Sequence, residues 1–514
     1  MLNVFGSGKS DHPLADARAA RKLLEGISAE DPIKALEDLG HWLESACTPA
    51  GFRPEYRAQL VQMIDEAAQP HLRRLQREYL SSSRLSKVQE NRMWAALYGA
   101  HRQIALALAT CIDDYATGQK GGEALKGSMP LLTVRALRAL AAQVKWHYVR
   151  YGPVDNALWS MACKMYALSE YRKFARTRVA VYPGVSGESS PEQEFLKMAM
   201  LAASSPDRLL PVEVELVERL IAHFSPGFKL NSGFQPDNAY WIDLAGNQPP
   251  QRLARPPQPV PTLRFLAAGG ALAELARVIQ SLNSANVVPS ALGLGTLGGS
   301  YEPEVVLDAL NHLALYWSPN APERKTPRHK VKSRLAATYG LDGVLAALDP
   351  ARQTGPEEGR IESWIVENVS AGGFGAGIPQ IKGDWLKIGC LVALQPEGGQ
   401  NWIIGVIRRY SRETPQQGSV GIQTLARSAL SVRVRLQAGQ AGPGRDVGWA
   451  VLLSPAESAT EAQLLLAPGV FSAEQNLEFE RDGKSFLLLP SALVESGDDY
   501  ELVRFRQMVR DTDE

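Results

Sequence analysis

Cysteine is scarce in this chain. Cys47, Cys111, Cys163 and Cys390 are the only four in 514 residues, and no two form a C-x-x-C pair. That excludes a disulfide-stapled secreted scaffold and a zinc ribbon, and fits thiols used as small core residues in a reducing compartment. The eight histidines are equally dispersed, with no H-x-x-x-H or H-E-x-x-H to set two ligands on one helix face, so no metal site is expected. Net charge is missing as well. Lys+Arg and Asp+Glu stand at 55 each, which argues against a general nucleic-acid or membrane-surface binder. No apolar run approaches the ~18 residues that span a bilayer, and the opening residues lack the apolar segment of a secretory signal. A soluble, cytoplasmic protein is expected. There is no G-x-S-x-G, and no Cys or Ser sits beside a plausible base, so an enzyme is not expected and no cofactor is implied.

What is present is ample hydrophobic content, 45%, in a chain too long for one core. Residues 13 to about 235 carry helical texture: Leu36, Leu39 and Leu43 recur at i, i+3 and i+7, and Met93–Tyr98 and Leu137–Val144 behave alike. Trp159, Ala162, Cys163, Tyr166 and Ala175 follow the spacing of a tetratricopeptide unit, but no second copy follows, and a helical hairpin with an aromatic core is the simpler reading. Tyr240–Leu244 reads as a short strand. Six prolines between Pro249 and Pro261 then keep the chain extended. Helical pattern is expected again at Leu263–Leu282 and at Pro303–Trp317.

Beyond residue 324 the period changes from 3.6 to 2. His329–Ala337, Arg360–Asn368, Gly389–Leu394, Trp402–Tyr410 and Val420–Leu425 are strand candidates, enough for a small closed or half-open barrel. Asp482-Gly483 between two alternating runs marks a hairpin, and Tyr500–Met508 could close a second, smaller β unit. The expected fold is therefore multidomain: a mostly α-helical array (1–240), a Pro-rich segment with a helical subdomain (241–320), a small β-barrel (321–436) and a C-terminal β unit (437–514).

Two phosphate-loop lookalikes fail. Asn3–Ser10 has Asn where the loop needs glycine and no room for a strand before it, and Gly293-Leu-Gly295-Thr-Leu-Gly298 follows a helix rather than a strand.

Two other motifs fit together. Residues 323–334 carry Arg324, Lys325, Arg328, Lys330, Lys332 and Arg334 against the single acid Glu323. About forty residues on, Asn368-Val-Ser370-Ala-Gly372-Gly373 ends an apolar run. Two arginines four apart offer planar forks that match the O6/N7 edge of guanine or clamp a phosphate. Asn368 and Ser370 alternate on a strand and so share a face, while Gly372 and Gly373 allow a tight turn and close backbone approach. A planar, anionic, acceptor-rich ligand such as a guanine nucleotide suits this set. A plain hairpin beside a solvated basic linker remains the alternative.

In this order, with strands following, the two motifs resemble the PilZ domain, a bacterial receptor module for cyclic di-GMP, over roughly residues 320–436. The resemblance implies that Arg324 and Arg328 grip guanine and phosphate and that Asn368, Ser370 and Gly373 hold the other guanine edge, with Gly372 beside them in the ligand-binding turn. The motif spacing is longer than in such domains, with Leu341–Leu348 and Pro350–Glu358 standing as an insertion. The implied function is a cytoplasmic cyclic di-GMP receptor that passes its signal through the helical part to a protein partner. The alternatives are a helical interaction scaffold with a non-binding barrel, or a single-stranded nucleic-acid binder, which would need aromatic platforms such as Trp364, Trp385 or Trp402. No nucleic-acid partner is expected.

Overall fold

The computed structural model describes residues 12–48, 52–81, 85–185, 187–294, 301–320, 326–349, 361–383, 385–437, 446–455 and 460–510. The chain divides into two compact units, Met1–Arg150 with Val154–Glu323, and Tyr151–Pro153 with Arg324–Glu514. The 241–320 segment is thus part of the first unit and not a subdomain of its own.

The first unit is built on helices α1 (Ala17–Glu25), α2 (Pro32–Ala46), α3 (Pro54–Ser81), α4 (Lys87–Ala116), α5 (Met129–Tyr148), α6 (Asn156–Tyr171), α7 (Pro191–Ala203) and α8 (Pro211–Phe224). Local chemistry sets their starts. Asp31 caps α2 by accepting from the Ile33 and Lys34 amides, with Pro32 in the first turn, and Ser86 with Gln89 forms a capping box on α4. Helix α5 is buried nearly all round, with Leu132, Val134, Ala136, Leu137 and Trp146 fully inside, so it is the central helix. Trp159, Ala162, Cys163 and Tyr166 are buried on α6. Ala175 lies in a turn, and β1 (Val179–Ala180) pairs with β2 (Glu188–Ser189) before α7, so the tetratricopeptide unit does not form.

Strands β3 (Lys229–Asn231), β4 (Tyr240–Asp243), β5 (Gln251–Arg252) and β6 (Leu263–Ala267) make a four-stranded sheet in the order β3-β6-β4-β5, followed by α9 (Gly270–Ala285) and α10 (Pro303–Trp317). The sheet straddles residue 240, which is why no boundary falls there. It also corrects the helical reading of Leu263–Leu282. Leu263, Phe265, Leu266 and Ala267 are buried as strand residues, and the helix begins only after Gly269, whose φ of +53° L side chains rarely adopt. Gly293 follows a short 3-10 turn between α9 and α10; Gly295–Gly298 of the motif, like Asn3–Ser10, lies outside the described residues.

The second unit holds two closed barrels. The first comprises β7 (His329–Tyr339), β8 (Glu362–Ser370), β9 (Gly373–Ile378), β10 (Leu391–Pro396), β11 (Ile403–Arg412) and β12 (Gly418–Ala426), with α11 (Gly340–Leu348) after β7. The second comprises β13 (Ala429–Leu436), β14 (Asp446–Leu453), β15 (Glu461–Leu466), β16 (Leu477–Arg481), β17 (Lys484–Ser496) and β18 (Glu501–Arg510). It begins at Ala429, so the expected boundary at 436/437 shifts, and its six strands make it no smaller than the first. Both rings have the same order: β7-β8-β9-β12-β11-β10 maps strand for strand onto β13-β14-β15-β18-β17-β16, antiparallel throughout.

Each barrel has its own core, around Trp364, Ile407 and Tyr410 in the first and Phe479, Phe486 and Phe505 in the second. A third cluster joins them. Leu391, Ala393, Ile404 and Val406 from the first, Val451, Leu453 and Leu465 from the second, and Leu341, Val344 and Leu345 of α11 pack together. Strands β10 and β14 are therefore apolar on both faces, which is why Leu391-Val-Ala-Leu394 and Ala450-Val-Leu-Leu453 read as continuous runs rather than alternations.

Candidate functional site

Strand register brings the two motifs together. His329 pairs with Val369 and Lys330 with Asn368, so Arg328, one residue before the ladder, stands beside the Ser370 end of β8. Arg328 is exposed, as are Lys330 and Lys332. Arg324 lies outside the described residues. The register slips between Lys330 and Ser333 and again between Val366 and Asn368, and such bulges re-aim side chains. A cavity of about 630 Å³ opens there, with Lys330, Lys332, Glu367 and Glu413 in its wall.

The second motif is a two-residue hairpin. Ser370 pairs with Gly373 across Ala371-Gly372, and the Ser370 hydroxyl donates to the Gly373 carbonyl at 3.2 Å. The two glycines differ. A Cβ on Gly372 would meet nothing within 4 Å, while its carbonyl accepts from the Thr424 amide at 3.0 Å. A Cβ on Gly373 would lie 2.0 Å from the Ile422 carbonyl oxygen, so Gly373 is needed for β9 to pair with β12. The role expected for Gly373, close approach to a ligand, is joined by a structural one.

Beyond the motif lies a feature the sequence reading passed over. Phe374, Ala376 and Ile378 of β9 point into the barrel, leaving Gly373, Gly375 and Gly377 on the outer face. On β12, Gly421 pairs with Gly375, Gln423 with Gly373, and Ser419 with Gly377. The Asn368 side chain lies across Gly375, where a Cβ would fall 2.4 Å from its Nδ2. A flat backbone strip thus runs between Asn368 and Ser370 on one side and Gln423 on the other. The signal was legible as glycine at every second position of Gly373-Phe-Gly375-Ala-Gly377, a strand with one bare face.

Arg408 borders this strip. Its Nε donates to Gln423 Oε1 at 2.8 Å and its Nη1 to Glu495 Oε1 of the second barrel at 2.7 Å. The Tyr500 hydroxyl donates to the same carboxylate at 2.7 Å. Burial raises the Glu495 pKa, but the Arg408 and Tyr500 hydrogen bonds outweigh that and hold it below the ordinary carboxylate range.

The corresponding place in the second barrel is bare of these residues. Its β14–β15 connection, Ser454–Thr460, contains no glycine, and no R-x-x-x-R stands directly before β13 as Arg324–Arg328 does before β7. The tryptophans of the first barrel are engaged in packing. Trp364 is fully buried and donates to Glu362 at 2.9 Å, and Trp385 stacks on Tyr339 with ring centroids 3.8 Å apart. Trp402 packs against the cluster between the barrels. None of the three is a free stacking platform. Among the described residues no group of three or more His, Cys, Asp or Glu could hold a metal ion, and no helix is long and apolar enough to cross a membrane.

Residues 18–236 match the family described as "Cyclic-di-GMP receptor FimW, N-terminal domain". The matched span takes in α1 to α8 and stops before either barrel. Comparison with curated proteins found no match.

Proposed function

We propose that this chain is a cytoplasmic cyclic di-GMP receptor whose first barrel is of the PilZ type and whose helical unit engages a protein partner. The observation that carries the reading is the β7–β8 register, which sets Arg328 beside Asn368 and Ser370 at the edge of a glycine-lined strip. The likeness of residues 18–236 to a domain of a cyclic di-GMP receptor supports it from an independent part of the chain.

The chemistry follows from the ligand. Cyclic di-GMP carries two phosphates and two guanines. An arginine fork pairs with guanine O6 and N7 or stacks on the purine face, and the Asn368 amide supplies donor and acceptor to a guanine edge. The glycines on β9 and β12 let a flat base lie against backbone, and Lys330 and Lys332 add positive charge for phosphate. The second barrel repeats the ring without the motifs and acts as a partner of the first rather than as a second receptor.

Calorimetry on the full chain tests the reading. Cyclic di-GMP is expected to bind at micromolar strength, about 8 kcal/mol, and GTP or a single-stranded oligonucleotide to compete poorly. Absence of heat at about 100 µM ligand would overturn it and favour the interaction-scaffold alternative.

A further inference from the structure

The helical unit contains a second cavity, of about 380 Å³, among α3, α4, α5, α7 and α8. Its wall on α5 is Ala141 and Ala142, with Arg138 toward one end and Lys145 toward the other. Seven residues separate the two cations, so they stand on one helix face about 10 Å apart along the axis. The alanines leave the space between them open.

Both ends are charged and ordered. Arg138 and Lys197 share the Glu194 carboxylate, at 2.7 and 2.9 Å, and Glu194 is only 3% exposed. At the other end Lys145, 4% exposed, reaches Glu215 at 3.0 Å and Glu218 at 2.6 Å, and Arg219 closes on Glu215 at 3.0 Å. Next to Arg138 along α5, Arg135 is held by Asp65 and Glu66. Five cations thus face five acids. The cluster is neutral, with its charges spread along a slot. Neither a simple anion nor a simple cation gains from it, whereas a molecule bearing both signs does.

Hydrogen-bonding capacity is left over where the slot opens. Arg138 uses Nε and Nη2 on Glu194, so Nη1 has no partner among the described residues. Glu218 uses one oxygen on Lys145, and its side chain is 33% exposed. His101 lies in the wall, and burial, followed by the Lys145 charge, pushes its imidazole down to about 3, so it is a neutral polar surface. A network that served helix packing alone would bring four cations and four acids to the wall of an open cavity where apolar side chains would cost less.

We propose that this slot binds a short zwitterionic peptide of about three residues, its carboxylate at Arg138 and Lys197 and its ammonium at Glu218. Three extended residues span about 10 Å, the separation of the two ends, and the volume suits a ligand of that size. The alanine wall makes no demand on side chains, so the terminal charges carry recognition. The proposal is independent of cyclic di-GMP binding by the barrel.

Tri-alanine is the probe, titrated into the full chain by calorimetry and thermal shift, beside its N-acetylated and C-amidated forms. Free tri-alanine is expected to bind and to raise the melting temperature. Blocking either terminus is expected to weaken binding about tenfold or more. Lys197→Gln and Glu218→Gln, both at partly exposed positions, are expected to weaken it similarly while circular dichroism shows the helical content unchanged. No response at about 10 mM tri-alanine, equal binding of the blocked peptides, or wild-type binding by both variants would each overturn the proposal.

Discussion

Arg408 of the first barrel donates to the Glu495 carboxylate of the second through both terminal nitrogens, while its Nε holds Gln423, the residue opposite Gly373 of the Asn368–Gly373 motif. One guanidinium therefore joins the bare strip to the neighbouring barrel. Its carboxylate partner also places a negative charge near the face proposed for an anionic ligand. Glu495→Gln is expected to cost about 1 kcal/mol of stability, as for a part-exposed ion pair, and to tighten cyclic di-GMP binding several-fold by removing that charge. Denaturant unfolding and calorimetry check the two effects. Weaker binding by Glu495→Gln would mean that the pair positions Arg408 for the ligand instead of competing for it.

Arg328→Lys keeps the charge and loses the planar fork. Cyclic di-GMP affinity is expected to fall by roughly 10- to 100-fold, with Lys332→Ala changing it much less. Wild-type affinity in Arg328→Lys would show that charge alone carries binding.

Alanine at three neighbouring glycines separates ligand chemistry from barrel construction. Gly372→Ala meets open space and is expected to leave stability within about 0.5 kcal/mol. Gly373→Ala drives a Cβ into the Ile422 carbonyl and is expected to destabilise the barrel by several kcal/mol, read as a lower unfolding midpoint. Gly375→Ala displaces the Asn368 amide, so binding is expected to weaken more than stability. Equal unfolding midpoints for the first two variants would contradict the close β9–β12 approach.

In the helical unit, burial raises the Glu194 pKa, but Arg138 and Lys197 pull it down further, to about 2 from its ordinary 4.5. The folded chain then binds fewer protons than the unfolded chain across that window. The stabilisation, about 3 kcal/mol, is complete above pH 4.5 and is lost as pH falls toward 2. Asp65 runs the other way, since burial lifts it to about 6 against the pull of Arg135, so folding gains as pH falls from about 6 to 3.8. Glu194→Gln is expected to cost about 3–5 kcal/mol at pH 7, by leaving Arg138 and Lys197 without their carboxylate, and to flatten the acid limb. An unchanged acid limb in Glu194→Gln, followed by circular dichroism, would assign the titration to another group.

Much of this protein is written in local pattern. Strands β8 and β12 carry period-two burial, Pro303 opens α10, and Asp482-Gly483 adopts φ of 51° and 76° in the β16–β17 turn, as the hairpin signal requires. Arg328, Asn368 and Ser370 were legible because side-chain chemistry and spacing belong to the chain itself. Leu263–Ala267 misled because a short apolar run has the same composition in a strand as in a buried helix, and only its partners β3 and β4 decide. Tertiary structure alone decided three further things. Register set Arg328 against Ser370, because pairing is a relation between distant segments. Ring closure gave the second barrel the order of the first without its motifs, because strand order follows from which edges meet. Helix packing gathered Glu194, Glu215 and Lys145 from three helices, because buried charges must find partners wherever the fold brings them.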